Sequence, residues 1–446
     1  MRENQRDIGL VRAVGPWAFA ASIVSMIVGA GIFVVPAALA ACVGPYAPLA
    51  FLTCGFAVGA VAICFAEGGS RVPTSGGVYG VIEAAFGPLA GFVSGTLLWV
   101  CCVLACGAVA AALGDVAASL FPPSLTGTVR GVVIVGVIGG IALVNMGGVA
   151  RGARLISATT TLKLAPLAIF IIAGASAVHS SNFVLTVQPD AQGLSPLGMA
   201  SPPGMAFRAL ILAVFALVGM ETSLCASGEV VQPNRTIPRA LAIAMVSTTI
   251  LYVAIQVIAQ GILGPSLATS KAPLADAMAH IHPALRAVML AGTALSMFGW
   301  LGSDILGSPR QLFAFARDSL LPRVLGQLHP RSHAPYVAIL CYSTIAIVLA
   351  LTGSFAELVV LSTLAIAALY SAGCAASWTL ARRGVALSGT PLNFRFLGSA
   401  AVIGISSMLA LIALGSRQEI IGLATLIGVS ILLYLIQARI ALAKQH

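Results

Sequence analysis

Apolar runs of about 20 residues, the length needed to cross ~30 Å of hydrocarbon, follow one another along nearly the whole chain. Short turns rich in charge, glycine or proline separate them. In hydrocarbon a backbone N–H or C=O freed from its partner has no water to bond, so consecutive runs of this kind must fold as helices that satisfy their own backbone. The totals agree: 59% of the 446 residues are hydrophobic and only 8% are charged. The mean hydropathy is +1.03. The expected fold class is all-α integral membrane, with no room for a separate soluble domain. The charged segment Met1–Arg12 precedes a run too long for a signal-peptide core and without a clear cleavage site, so that run is expected to be a retained first helix.

Apolar periodicity and its boundaries predict twelve membrane spans, at about 17–41, 47–69, 88–114, 129–146, 155–177, 206–228, 237–262, 286–313, 336–352, 356–381, 397–415 and 418–438. Charge tests the count independently, because cytoplasmic loops are enriched in lysine and arginine. With a cytoplasmic N-terminus, 17 basic residues fall on the inner side and 5 on the outer side, leaving Lys163 within the membrane. A missed or invented span would have swapped the sides downstream and blurred that contrast. The expected arrangement is a multi-pass protein of the cytoplasmic membrane with both termini inside. Basic residues lie between apolar runs rather than in one patch, so the net charge of +10 reflects topology and not nucleic-acid binding. The nine cysteines lie mostly inside apolar segments, Cys101, Cys102, Cys106, Cys225 and Cys374 among them, without metal-ligand spacing. No disulfide framework, metal or cofactor is expected. The outer connections at about 178–205 and 263–285 are the longest, and can be read as lids or as plain solvated loops.

One span breaks its own helix. Ile27-Val28-Gly29-Ala30-Gly31-Ile32-Phe33, followed by Pro36, puts two glycines and a proline near the middle of span 1. Glycine costs about 1 kcal/mol and proline about 3 in a helix interior. Such an interruption either lines a polar cavity with bare backbone or forms a notch for a neighbouring helix. A functional break predicts a partner at the matching place in the second half of the chain. Span 6 supplies one in Phe215-Ala216-Leu217-Val218-Gly219-Met220-Glu221-Thr222-Ser223, with a glycine and a carboxylate in mid-span. Spans 1–5 (about 14–178) then stand against spans 6–10 (about 204–384), and each set has an odd number of crossings, so the two sets run oppositely. Spans 11 and 12 (about 396–440) are left over. Two broken helices side by side can offer amides to a carboxylate and carbonyls to an ammonium or a cation.

Several motifs in order now resemble the amino acid-polyamine-organocation transporters. Gly29-Ala30-Gly31-Ile32-Phe33 is similar to that family's Gly-x-Gly-Ile-Phe in helix 1. Glu67 and Pro73-Thr74-Ser75-Gly76-Gly77-Val78-Tyr79 resemble its Glu and Pro-x-Ser-Gly-Gly-x-Tyr signature between helices 2 and 3. The run from Glu229 through Pro233-Asn234-Arg235-Thr236-Ile237-Pro238-Arg239 resembles the segment after helix 6. Arg317-Asp318-Ser319-Leu320-Leu321-Pro322 resembles Arg-Asp-Gly-x-x-Pro after helix 8, with Ser319 in the place of glycine. The resemblance implies twelve helices, a five-plus-five inverted repeat, and secondary transport of amino acids or related amines.

Ionisable groups within spans are functional candidates, since each costs at least ~2.5 kcal/mol near a helix centre. Lys163 lies about 12 Å into span 5 by helical rise, too far for its stem to reach the interface fully. It either snorkels part of the way or binds carbonyls freed by the break in span 1. The resemblance implies the second: a lysine at this point of helix 5 appears in proton-coupled and sodium-independent members, in the place a sodium ion takes in related folds. Glu221 matches an acidic residue that, by the same resemblance, links the broken helices or takes up a proton. Asp304, in span 8, either faces the pathway and favours a cationic substrate or pairs within the bundle; Glu67 is expected to be structural. Phe215 corresponds to an aromatic gate in relatives, with lipid contact or packing as the plain alternative. Cys101 and Cys102 fall on a stretch that lines the site in relatives, where small side chains leave room for a ligand or serve helix packing.

The substrate-binding set is therefore Val28, Gly29, Ala30, Gly31, Ile32, Cys101, Cys102, Phe215, Ala216, Gly219, Met220, Glu221 and Asp304, with Lys163 and Glu221 as coupling residues. The expected activity is sodium-independent, proton-coupled or exchanging transport of an amino acid by alternating access. A polyamine or organic-cation transporter of the same fold is the nearest alternative. A channel would show charge rings or a multi-subunit filter. An intramembrane enzyme would show a motif such as His-Glu-x-x-His or Gly-x-Ser-x-Gly, and neither occurs. A non-transporting sensor stays an open alternative, against which stands the lack of an appended signalling domain. The partners expected are a small-molecule substrate, protons and the lipid bilayer; the substrate's identity and the oligomeric state stay open.

Overall fold

The first apolar run does not form one helix. In the computed structural model α1 spans Pro16–Ile27 and α2 spans Gly31–Val43, with non-helical backbone between them. The structure describes residues 14–72, 77–147, 163–183, 202–225, 230–317, 320–387 and 391–443. Among these every regular element is helical, and the one strand-like feature is an isolated bridge between Val14 and Val230.

The chain continues through α3 (Ala47–Arg71), α4 (Gly77–Phe86), α5 (Pro88–Ala118), α6 (Thr126–Met146) and α7 (Ala165–Gly174). The second half holds α8 (Pro202–Leu217), α9 (Met220–Leu224), α10 (Pro233–Leu263), α11 (Pro273–Ala279), α12 (Pro283–Gly307) and α13 (Pro309–Arg317). It closes with α14 (Tyr336–Thr352), α15 (Phe355–Arg382), α16 (Leu397–Ala413) and α17 (Arg417–Ala443). Among the described residues eight helical segments are long and apolar enough to cross a membrane. Five further apolar helices run for 10–17 residues, and the chain is a multi-pass membrane protein.

Proline explains much of the segmentation. It lacks an amide donor and fits the first turn of a helix, and α1, α3, α5, α7, α10, α11 and α12 all begin this way. Two elements lie where the sequence reading placed connections. One is α4, which directly follows Pro73–Gly76, themselves outside the described residues. The other is α11, in the outer connection at 263–285, where Pro273 starts a turn and Leu274, Ala277 and Met278 bury an apolar side. Thr159–Thr161, residues 184–201, Glu229, Asp318–Ser319 and both terminal segments likewise lie outside the described residues.

The main core is one large apolar cluster threaded by α5, whose membrane-length stretch is 89% buried, against 17% for that of α17 at the rim. Packing follows the same order: α3 lies along α10, α5 along α15, α1 against α10 and α2 against α8. Glu67 is consumed structurally at the end of α3. Its carboxylate pairs with Arg71 at 2.8 Å and accepts from the Phe394 amide at 3.0 Å, while Arg71 also donates to Leu392 O and Asn393 Oδ1.

Candidate substrate site at two helix breaks

The last turn of α1 leaves carbonyls without helical partners, and each must be satisfied in a membrane interior. Val28 and Gly29 turn back locally, their amides donating to Val24 O and Ile27 O at 2.8 Å. Side chains from distant parts of the chain meet further carbonyls here and add a second bond to Ile27 O. Lys163 Nζ donates to Ser25 O. Trp300 Nε1 donates to Met26 O at 3.2 Å, the Tyr252 hydroxyl to Ile27 O at 2.9 Å, and Ser296 Oγ to Gly29 O at 3.5 Å. Each such bond contributes about 1 kcal/mol net, but a buried carbonyl left alone costs ~1–3 kcal/mol. Lys163 and Tyr252 are buried, at 2% and 0% exposure, so water cannot take their place.

The second break lies between α8 and α9. Gly219 has φ of +140°, a conformation that glycine alone adopts at low cost. Its amide donates to Glu221 Oε2 at 3.1 Å, and the Tyr370 hydroxyl donates to the same oxygen at 2.6 Å. Glu221 is 2% exposed, so its carboxylate ties the break to α15.

The breaks interlock. A Cβ on Gly219 would lie 2.8 Å from the Met26 carbonyl carbon and 2.9 Å from the Ile27 nitrogen. Reciprocally, a Cβ on Gly31 would lie 3.0 Å from Ala216 Cα, and one on Gly29 would strike the Trp300 ring at 2.6 Å. Glycine at 219 and 31 lets the backbones of the two interrupted helices meet, and glycine at 29 makes room for Trp300.

Beside this junction lies a small cavity of about 40 Å³. Met26, Ile27, Gly29, Ala30 and Gly31 form one wall, and Phe215, Ala216, Val218, Gly219, Glu221 and Thr222 a second. The remainder comes from Cys101, Cys102, Ala105 and Val109 of α5, Trp300 and Asp304 of α12, and Ser362 of α15. Asp304 Oδ1 accepts from Ser308 Oγ at 2.8 Å, and Oδ2 accepts from the Tyr342 hydroxyl. Ser362 Oγ donates to Cys101 O at 3.0 Å, fastening α15 to α5 behind the cavity. Phe215 meets Phe355 edge-on, with ring centroids 6.0 Å apart. Among the described residues no group of histidine, cysteine or acidic side chains could hold a metal ion.

A family model described as Amino acid permease matches residues 14–417. The chain belongs to this family. Membership makes it a membrane transporter of small molecules rather than an enzyme. Among curated permeases and transporters, an uncharacterized transporter of Mycobacterium tuberculosis is 31% identical over 388 residues, covering 85% of this chain and 81% of its own length. The branched-chain amino acid permease BcaP of Bacillus subtilis is 27% identical over 75% of this chain and 73% of its own length. The methylthioribose transporter of the same organism is 26% identical over 70% and 69%. Another uncharacterized M. tuberculosis transporter, 28% identical over 68% of this chain, matches over only 66% of its own length, so the chain spans just under two thirds of that relative.

For this permease the structure brings Gly29, Ala30, Gly31, Cys101, Cys102, Phe215, Ala216, Gly219, Glu221 and Asp304 to one cavity. It places Val28, Ile32 and Met220, all 0% exposed, behind the lining, and Lys163 on the far side of the α1 backbone at Ser25. Sequence reasoning missed Trp300, Ser296, Tyr252, Tyr370 and Ser362. An aromatic or a serine in an apolar helix reads as packing, and the available signal was the count of carbonyls that the span 1 break must leave unpaired.

Proposed function

We propose that the chain is a secondary active transporter that binds an amino acid between the two helix breaks and moves it by alternating access. The observation that carries this reading is the pair of interlocked breaks against one cavity. The freed carbonyls of α1 are occupied by fixed side chains, while among the described residues the Ala30 and Gly31 amides have no backbone acceptor. Amides at the start of α2 suit a carboxylate, and carbonyls beside Gly219 suit an ammonium. In this reading twelve spans form a five-plus-five inverted repeat plus two, with both termini in the cytoplasm. Lys163 stands where a sodium ion would otherwise bridge α1, so transport is sodium-independent and is powered by protons or by exchange.

A cationic substrate, such as a polyamine, is a second reading favoured by Asp304. Its carboxylate lines the cavity at 2% exposure and has hydroxyl partners but no basic partner among the described residues. A competition panel of neutral amino acids, basic amino acids and polyamines in proteoliposomes, with and without an imposed pH gradient, separates the two. Saturable uptake with counterflow supports a transporter, and unsaturable conductance sinks it. A requirement for sodium refutes the role given to Lys163.

A further inference from the structure

A void far larger than the cavity at the helix breaks lies away from them. It is a groove of about 650 Å³ on the lipid-facing side of α3, α10 and the start of α16. Its lining is apolar except at one end. Gly55, Gly59, Ala62 and Ala66 of α3 form the floor, and because Gly59 has no atom within 4 Å of where a Cβ would sit, the groove is open there. Phe56 and Phe396, 70% and 72% exposed, stand at its edges.

Three chain directions agree on how the groove is oriented. Ala66 on α3, Pro238 and Arg239 on α10, and Phe394 and Phe396 before α16 mark one end. Gly55, Val246 and Ile403 mark the other. The helix from Gly55 to Ala66 rises ~16 Å, about the depth of one hydrocarbon leaflet. The charge is confined to the first end, where Arg239 lines the groove and Arg395 is set between the two phenylalanines, both exposed. The described ion pairs, of Arg71, Arg130 and Arg286, leave these two arginines uncompensated.

We propose that this groove is a binding site for one anionic phospholipid, with an acyl chain along the α3 floor and the phosphate at Arg239 and Arg395. A leaflet-length apolar slot ending at the Arg239 guanidinium, with exposed Arg395 beside that end in sequence between two lining phenylalanines, matches both parts of such a lipid, and guanidinium pairs phosphate by charge-assisted hydrogen bonds. A second copy fits less well. Copies related by an axis normal to the membrane would bring arginine end to arginine end, setting like charges together without a counter-ion.

The test uses the full chain in detergent, titrated with dioleoyl phosphatidylglycerol or dioleoyl phosphatidylcholine and followed by native mass spectrometry. One arginine near the surface corresponds to roughly fivefold in lipid affinity, so phosphatidylglycerol should be held at least that much more tightly. Arg239→Gln should reduce the preference by about fivefold while keeping the apolar slot. Gly59→Leu, which puts a good helix former into open space, should remove the tightest-bound lipid of either kind. If Gly59→Leu fails to fold, Arg239→Gln still decides the matter. Equal retention of the two lipids by the unmodified chain, a preference that survives Arg239→Gln, or a dimer that Gly59→Leu dissociates without any change in bound lipid would each overturn the proposal.

Discussion

The break between α1 and α2 is held open from outside, by Lys163, Tyr252, Ser296 and Trp300, which reach it from three other parts of the chain. The break between α8 and α9 is held mostly by its own residues: Gly219 supplies the backbone turn, Glu221 folds back onto the Gly219 amide, and among the described residues Tyr370 alone reaches in from elsewhere to hydrogen-bond Glu221. Both solve the same physical problem, unpaired backbone in a low-dielectric interior, where each orphan group costs on the order of 1–3 kcal/mol. An externally held break can change partners when neighbouring helices move. A self-held break keeps its shape and moves as a unit. In the proposed transport cycle, then, the α1 break is the element whose bonds are exchanged, and the α8–α9 break is the rigid counterpart against which it works.

That contrast is most exposed to Gly219→Ala. The substitution combines an unfavourable φ with a Cβ 2.8 Å from the Met26 backbone, so strain and overpacking act together. Loss of uptake to background and destabilisation of about 3 kcal/mol are expected, measured by proteoliposome flux and thermal unfolding. Normal uptake by this variant would mean that the second break is not rigid. Lys163→Ala should come next. It removes the donor to Ser25 O and is expected to abolish gradient-driven accumulation while substrate counterflow continues. Unchanged accumulation would make the lysine incidental and leave the external support of α1 to the neutral side chains.

Tyr370→Phe probes the one external support of the second break. Glu221 keeps its bond from the Gly219 amide but loses the hydroxyl at 2.6 Å. A buried carboxylate deprived of one donor loses about 1–3 kcal/mol, so uptake should fall roughly tenfold with the cavity shape retained. A loss as complete as that of Gly219→Ala would show that this break depends on α15 and is not self-held.

The two breaks also differed in how far they could be read in advance. Gly219 and Glu221 are neighbours in sequence, and Gly29, Gly31 and Pro36 interrupt an apolar run that would otherwise continue, so both interruptions were visible as local patterns. The direction of Lys163 toward α1 followed from family resemblance, together with the depth of a lone ammonium in span 5. Tyr252 and Trp300 were not legible, because they act across 225 and 274 positions and sit in helices where aromatic residues serve packing anyway. Membership of the permease family was legible through motif order, although Pro73–Gly76, Glu229 and Asp318–Ser319 lie outside the described residues. Twelve spans were read where, among the described residues, eight segments reach membrane length. The break leaves α1 with 12 residues, α7 follows residues outside those described, and α2 and α3 together make a single segment, Gly31–Arg71.

Ser296→Ala gives the smallest and most discriminating effect. Its hydroxyl donates to Gly29 O at 3.5 Å, the longest of the four supports of α1, and the bond is correspondingly weak. Gly29 also lines the cavity, so this carbonyl is the supported group nearest to a bound substrate. If the bonds to α1 are exchanged during transport, a loose bond at the cavity edge is the first to give way, and its removal should change KM by less than about threefold with stability altered by roughly 0.5 kcal/mol. Trp300 and Tyr252 would still hold Met26 and Ile27 in place. A drop in uptake comparable with that of Tyr370→Phe would instead make Gly29 O a fixed part of the site, and the two breaks would then be equally rigid.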